Sequence, residues 1–106
     1  MNIEEVNQAY SKVIEATDTV QKAGILFAEA KADVAKEVLM ATSSGAITGK
    51  NDSERKANAF NMFESNFDKR DRLESKYKEA SHGLALAQIE LNCLRDCIRV
   101  LELTKE

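Results

Sequence analysis

The chain has 106 residues, of which 43% are hydrophobic and 31% are charged, a composition typical of a folded protein and not of a disordered one. Its net charge is −3, and its acids and bases are interspersed. The chain therefore lacks the basic surface on which the affinity of most nucleic-acid-binding proteins depends. The sequence contains no proline and only four glycines, so most of its length is free to form helix.

The first predicted element is a helix over residues 2–44. Asn2 and Glu5 have the spacing of a capping box at its start, and Gly45 follows Ser43 and Ser44 where a left-handed residue ends a helix. Hydrophobic positions alternate at spacings of three and four, the 3.5-residue period of a helix packed along another helix. One of the two lines in this stripe is apolar throughout, and it comprises Val6, Val13, Val20, Phe27, Val34 and Ala41. The other comprises Ile3, Tyr10, Thr17, Gly24, Lys31 and Val38.

The second predicted element is a helix over residues 51–104, after a loop over residues 45–50. Asn51 is a capping residue, Asp52 and Glu54 supply acids to the first turn, and Phe60, Phe63 and Phe67 follow on one face. The charged run 68–72 interrupts the apolar stripe, which then resumes at Leu73, Tyr77, Ala80, Leu84, Ala87, Leu91, Leu94, Ile98 and Leu101. Because the stripe keeps its phase across residues 81–83, we predict one continuous helix there.

These elements predict an all-α fold, a long antiparallel helical hairpin of coiled-coil type that forms a single domain over residues 1–106. The second helix is about ten residues longer than the first, so its last leucines are expected to project beyond the hairpin. It also carries a second apolar stripe, which one neighbouring helix cannot cover. We therefore expect an oligomeric helical bundle; the alternative is a compact monomer in which the second helix bends at Gly83. The predicted self-association residues are Leu86, Ile89, Cys93, Leu94, Cys97, Ile98, Val100 and Leu101.

The sequence offers no set of residues for catalysis, so we predict that the chain is not an enzyme and carries no cofactor. The single histidine, His82, has neither an acid nor a cysteine at a helical spacing suited to charge relay. Cys93 and Cys97 are too few to complete a structural zinc site. No metal site is predicted, and the two thiols are expected to be buried and reduced.

The interhelical loop is the candidate ligand site. Gly49-Lys50 resembles the end of a phosphate-binding loop, but Ser44 replaces the first glycine of that motif and Asn51 replaces its Ser or Thr. A weaker anion site remains as an alternative to a purely structural loop, because backbone N–H groups at a helix start attract anions. Its residues would be Thr48, Gly49, Lys50, Asn51 and Arg55.

The segment Ile47-Thr48-Gly49-Lys50-Asn51, followed by Glu54-Arg55-Lys56-Ala57, resembles a loop-to-helix segment in small helical accessory proteins of tailed bacteriophages. The resemblance covers about a tenth of the chain and carries over no active residue. It implies a phage-encoded protein of the bacterial cytoplasm that binds host machinery as an adaptor or inhibitor.

The predicted function is a non-enzymatic protein-interaction module with a second copy and a host protein as partners. One alternative is an anti-defence sponge that binds a nucleotide or another anion at the loop. The other is a nucleic-acid-associated protein that uses Lys50, Arg55, Lys56, Lys69, Arg70 and Arg72. The apolar runs are too short to cross a bilayer and the first residues lack the pattern of a secretory signal, so a cytoplasmic location without membrane contact is expected.

Overall fold

The computed structural model describes residues 3–104, and within them the fold is an all-α helical hairpin with three helices and no strand. The helices are α1 (Ile3–Ser43), α2 (Asp52–Met62) and α3 (Glu64–Thr104). The predicted fold class is confirmed. The predicted cap Asn2 lies outside the described residues. By its contacts the chain divides into unit 1, which joins Met1–Ala23 to Tyr77–Glu106, and unit 2, which is Gly24–Lys76.

Helix α1 uses the predicted valine line for packing but pairs it with a different second line. All six residues from Val6 to Ala41 in the valine line are buried or half-buried. The residues that accompany them are alanines, also spaced by seven: Ala9, Ala16, Ala23 and Ala30. Ala9 and Ala30 are 2% and 5% exposed, whereas Ile3 is 80% exposed and Lys31 is also exposed. The second predicted line is therefore wrong at Ile3, Tyr10 and Lys31, whereas its other three members are half-buried. Alanines replace the exposed residues in the seam because small side chains allow a closer approach of helix backbones than Tyr10 or Lys31 would.

The predicted stripe of α3 is also covered in unit 1. Leu91 is 6% exposed, and the predicted stripe from Tyr77 to Ile98 is otherwise half-buried. The packing stripe of α3 is thus confirmed up to Ile98, whereas Leu101 is 49% exposed.

Two contacts fix the register of the helices in unit 1. The Arg95 side chain donates to the Tyr10 hydroxyl through Nε at 3.0 Å and stacks on its ring, 5.2 Å from the centroid. Lys12 Nζ lies 3.3 Å from Glu90 Oε1. In antiparallel helices this register brings Ile3 level with the turn from Arg99 to Glu102. Since α3 ends at Thr104, only a few residues past that turn, the prediction that it projects about ten residues beyond the hairpin is wrong.

The loop of unit 2 is closed by helix-ending and helix-starting hydrogen bonds. At the end of α1, Ala46 N–H donates to the Ala41 carbonyl at 2.9 Å and Gly45 N–H donates to the Thr42 carbonyl at 3.2 Å. This is the Schellman arrangement, and it requires the left-handed φ of +78° that Gly45 adopts. At the start of α2, Asn51 Oδ1 accepts from Glu54 N–H at 2.9 Å. The predicted end of the first helix and the predicted start of the second are confirmed to within one residue.

The predicted second helix is interrupted once, at Phe63, so α2 and α3 replace the single helix 51–104. Phe63 has φ −114° and ψ 30°, outside the helical region. Hydrogen bonds still cross it, from Phe63 N–H to Ala59 and from Phe67 N–H to Phe63, both at 3.0 Å. The irregularity lies beside a pair of rings, those of Phe60 and Phe67, whose centroids are 5.4 Å apart. No proline or glycine marks the position, so the sequence pattern gave no signal for it.

By contrast, α3 is continuous through Gly83, as predicted. A Cβ built at Gly83 would meet no heavy atom within 4 Å. The alternative of a three-helix monomer bent at this glycine is therefore wrong.

Candidate functional site

The largest set of predicted site residues is the group of apolar residues on α3 that is predicted to mediate self-association. We call Leu86, Ile89, Cys93, Cys97 and Val100 the α3 outer stripe. Leu86, Ile89 and Val100 are 53%, 58% and 58% exposed, and both thiols are exposed. Spacings of three and four along α3 place all five side chains on one strip of the helix surface.

The other three predicted self-association residues divide between packing and solvent. Leu94 and Ile98 are half-buried on the face that α3 turns toward α1 in unit 1, whereas Leu101 remains largely exposed. The same orientation explains the error about the cysteines. Since Leu91, Leu94 and Ile98 take the inner face, Cys93 and Cys97 lie on the outer face, and the expectation that they are buried is wrong.

A shallow groove continues the α3 outer stripe within unit 1. Its volume is about 400 Å³, and small residues of both helices, Ala16, Ala80 and Gly83, lie beside Leu86 along it. The Lys12–Glu90 ion pair lies at its edge, with both side chains more than half exposed. Exposed ion pairs contribute at most about 1 kcal/mol to stability. Because so weak a pair breaks easily, it does not close the groove.

Unit 2 has a second apolar groove that the sequence reasoning missed. Its volume is about 550 Å³, and its apolar lining includes Val34, Ala35 and Val38. Two cation–aromatic pairs flank that lining. Lys31 Nζ lies 5.1 Å from the Phe27 ring centroid, and the Arg70 guanidinium lies 4.9 Å from that of Phe67.

The sequence did contain a signal for these pairs, because a cation three or four residues after an aromatic residue lies over its ring on a helix. The sequence pattern instead predicts Lys31 in the second line of the α1 stripe and Arg70 among the candidate nucleic-acid residues. The two pairs hold both cations against the groove wall.

The predicted anion-binding loop is folded against α2, and two of its donors already have partners within the chain. Lys50 N–H donates to Glu54 Oε2 at 3.3 Å, and the Arg55 guanidinium pairs with Asp52 at 2.8 Å. Asn51 Oδ1 accepts the hydrogen bond that the Glu54 N–H donates. An anion would therefore displace two carboxylates of the protein, so the geometry offers little support for this site, which stays a prediction.

Gly49 and Thr48 have structural roles in the same loop. A Cβ at Gly49 would lie 2.8 Å from the Arg55 backbone nitrogen, so the loop approaches α2 closely there. The Thr48 carbonyl accepts from Asn58 Nδ2. These contacts account for both residues without a ligand.

The predicted basic residues are partly neutralised. Arg70 donates to Asp71 from Nε and Nη2, at 3.2 and 3.0 Å, and Arg55 is paired with Asp52. Lys22 is affected in the same way: the hydrogen bond that its ammonium donates to Asp18, together with the charge of that carboxylate, raises the pKa of Lys22 above its usual 10.5. Acids within one helical turn thus dilute the positive charge.

Among residues 3–104, no three His, Cys, Asp or Glu side chains cluster as metal ligands would. His82 is exposed. The helices of the described range are not apolar enough over a sufficient length to cross a membrane. Comparison with protein-family models, curated proteins and solved structures found no match to the chain.

Proposed function

We propose that the chain is a non-enzymatic protein-interaction module that docks helices of other polypeptides onto its exposed apolar faces. The observation that supports this most is the amount of surface left in water. The accessible area is 7996 Å² for a chain of 11.8 kDa. A folded monomer of this mass ordinarily exposes about 5,900 Å², so the excess is about 2,000 Å².

The small core leads to the same proposal. The buried apolar residues among those described are mostly small, and none of the large side chains is less than 2% exposed. Folding removes about half of the surface of the extended chain, less than the roughly 60% typical of a domain of 60 residues. Each partner in a standard protein interface buries about 800 Å². One or two docked helices would therefore reduce the exposed area to about that of an ordinary monomer of this mass.

The two grooves have the features that a docked helix requires. Each combines an apolar floor with charged groups at its edge, which suits a helix whose apolar stripe is flanked by polar residues. If the resemblance to phage accessory proteins holds, one such partner is a protein of the bacterial host.

The proposal is tested by affinity capture from a bacterial lysate together with a light-scattering mass. Ala35→Glu places a charge in the groove of unit 2, and Ala32→Glu places the same charge at an exposed position outside that groove. We expect the wild type and Ala32→Glu to recover the same protein and Ala35→Glu to recover at least about tenfold less. A mass of one 11.8 kDa chain, with no protein recovered selectively by any variant, would contradict the proposal.

A further inference from the structure

We infer that Cys93 and Cys97 form a two-coordinate site for a soft, thiol-binding cation of the Cu(I) type. Both residues lie within the continuous helix α3, and both thiols are exposed. The site does not depend on the proposed docking function, because its ligands are two sulfur atoms of one chain.

The helix sets the distance between the two side chains. Residues four apart on a helix lie on the same face, with Cβ atoms about 5–6 Å apart. A disulfide needs a Cβ separation of about 3.8 Å, so the helix would have to distort to form one. A metal ion between the sulfurs lengthens the bridge, since two metal–thiolate bonds of about 2.3 Å in line span about 4.6 Å. A regular helix therefore favours a metal bridge between Cys93 and Cys97 over a disulfide.

The number of ligands determines which ions fit. The sequence argument against a metal applies to zinc, which takes four ligands in a structural site. Within residues 3–104, no group of three or more His, Cys, Asp and Glu side chains could hold such an ion. Cu(I) needs only two thiolates in line, and soft thiolate sulfur is a ligand that selects it. Hard ions such as Ca²⁺ and Mg²⁺ bind oxygen ligands and would not compete for the two sulfurs.

The charges around the thiols are consistent with a site whose affinity comes from its bonds. Two thiols and one Cu⁺ give a bis-thiolate complex and two protons, so no electron is transferred and no oxidant is needed. Glu90 and Asp96 stand three residues from Cys93, on either side of it. Lys12 Nζ offsets the charge of Glu90 from 3.3 Å. Asp96 opposes the anionic complex, so the copper–sulfur bonds and not the local charge supply the affinity.

The test is a competition for Cu(I) between the intact, reduced chain and a coloured chelator, bicinchoninate, in the absence of oxygen. We expect the wild type to withdraw one Cu(I) per chain from the chelator. Cys97→Ser should bind at least about a hundredfold more weakly, because a second ligand on the same molecule raises the overall affinity by about 10²–10⁴.

A matched control keeps two thiols on the same strip of α3 but moves them apart. It combines Cys97→Ser with Val100→Cys, so that the thiols are seven residues and about 10.5 Å apart along the helix axis. One ion cannot bridge that distance, and this variant should lose as much affinity as Cys97→Ser alone. Val100 is 58% exposed, so its exchange leaves the packing of α3 unchanged, which circular dichroism verifies.

Three results would overturn the inference. If the wild type withdraws no Cu(I), the two thiols do not form a site. If the variant with thiols seven residues apart matches the wild type, the number of thiols and not their spacing determines binding. If one Cu(I) binds per two chains, the sulfurs of two copies share the ion. None of these results bears on the docking grooves, which lysate capture tests separately.

Discussion

Replacing Ala30 with leucine tests which residues of α1 form the packing seam. Ala30 is 5% exposed and belongs to the alanine line, whereas Ala32, two residues further on, is exposed. Both substitutions exchange alanine for leucine within one helix, so their intrinsic helix propensities change equally. Any difference between the two variants therefore reports packing.

The expected magnitude follows from the space at the two positions. Leucine brings three additional carbon atoms into a contact where the helices are close, and overpacking of this kind costs about 1–3 kcal/mol. For a domain of this size, that loss lowers Tm by roughly 5–20 °C. Ala32→Leu should change the free energy of unfolding by less than about 0.5 kcal/mol, since its side chain stays in solvent.

The assay is urea unfolding followed by circular dichroism, with wild type, Ala30→Leu and Ala32→Leu at one protein concentration. Equal concentration matters because association would stabilise every variant by mass action. If the seam were instead the line through Tyr10 and Lys31, Ala30 would lie beside the contact and tolerate leucine. Identical unfolding midpoints for the two variants would therefore refute the assignment.

Three further predictions concern the helix ends and the core. Asn51→Ala should lower the free energy of unfolding by about 1 kcal/mol, because it removes the acceptor for Glu54 N–H, while Asn51→Asp should keep most of the stability; an equal loss in both would contradict the capping role. Gly45→Ala should destabilise the fold by about 1–2 kcal/mol, because alanine is strained at the left-handed φ of this position. Gly83→Ala should stabilise it by about 0.5–1 kcal/mol, because Gly83 lies within a helix with open space around it. Thermal unfolding should show shifts of Tm of opposite sign for the two variants. Leu91→Ala should cost about 2–5 kcal/mol because it empties the core of unit 1, and denaturant titration should show it to be far more damaging than any alanine substitution at an exposed leucine of α3.

The helical fold and both ends of the interhelical loop were predictable from local chemistry. Gly45 and Asn51 act through their own backbone or side chain, with partners within a few residues, so the sequence alone contains the relevant interactions. Continuity through Gly83 was predictable as well, because the apolar stripe keeps its phase on both sides of it.

The second line of the α1 seam was not predictable from periodicity. The lines through Ala9 and through Tyr10 both stand at three- and four-residue spacings from Val6 and Val13, so the valine line pairs equally well with either. The choice depends on how closely the facing helix approaches, and that distance is a property of the packed pair. The interruption at Phe63 has the same origin, since it lies where aromatic rings pack and no helix-breaking residue marks it.

The candidate site was predicted in part for related reasons. The outer stripe could be recognised as surplus apolar surface, but its limits depended on the register set by Tyr10 and Arg95, which are 85 residues apart in sequence. The sequence predicts an anion site in the loop from its donors alone, because the partners of those donors depend on the folded geometry. In the folded loop, Glu54 accepts from the Lys50 N–H and Asp52 pairs with the Arg55 guanidinium, and only the geometry reveals these contacts.

The central claim is the proposed function, in which another polypeptide covers the large hydrophobic side chains that this chain leaves exposed. The most direct measurement is the midpoint of urea unfolding at protein concentrations that span about a hundredfold range. A dimer coupled to folding should gain about 2.7 kcal/mol of apparent stability over that range, with a midpoint that rises steadily. A midpoint independent of concentration, at a light-scattering mass of 11.8 kDa throughout, would contradict the claim that a second copy supplies the missing cover.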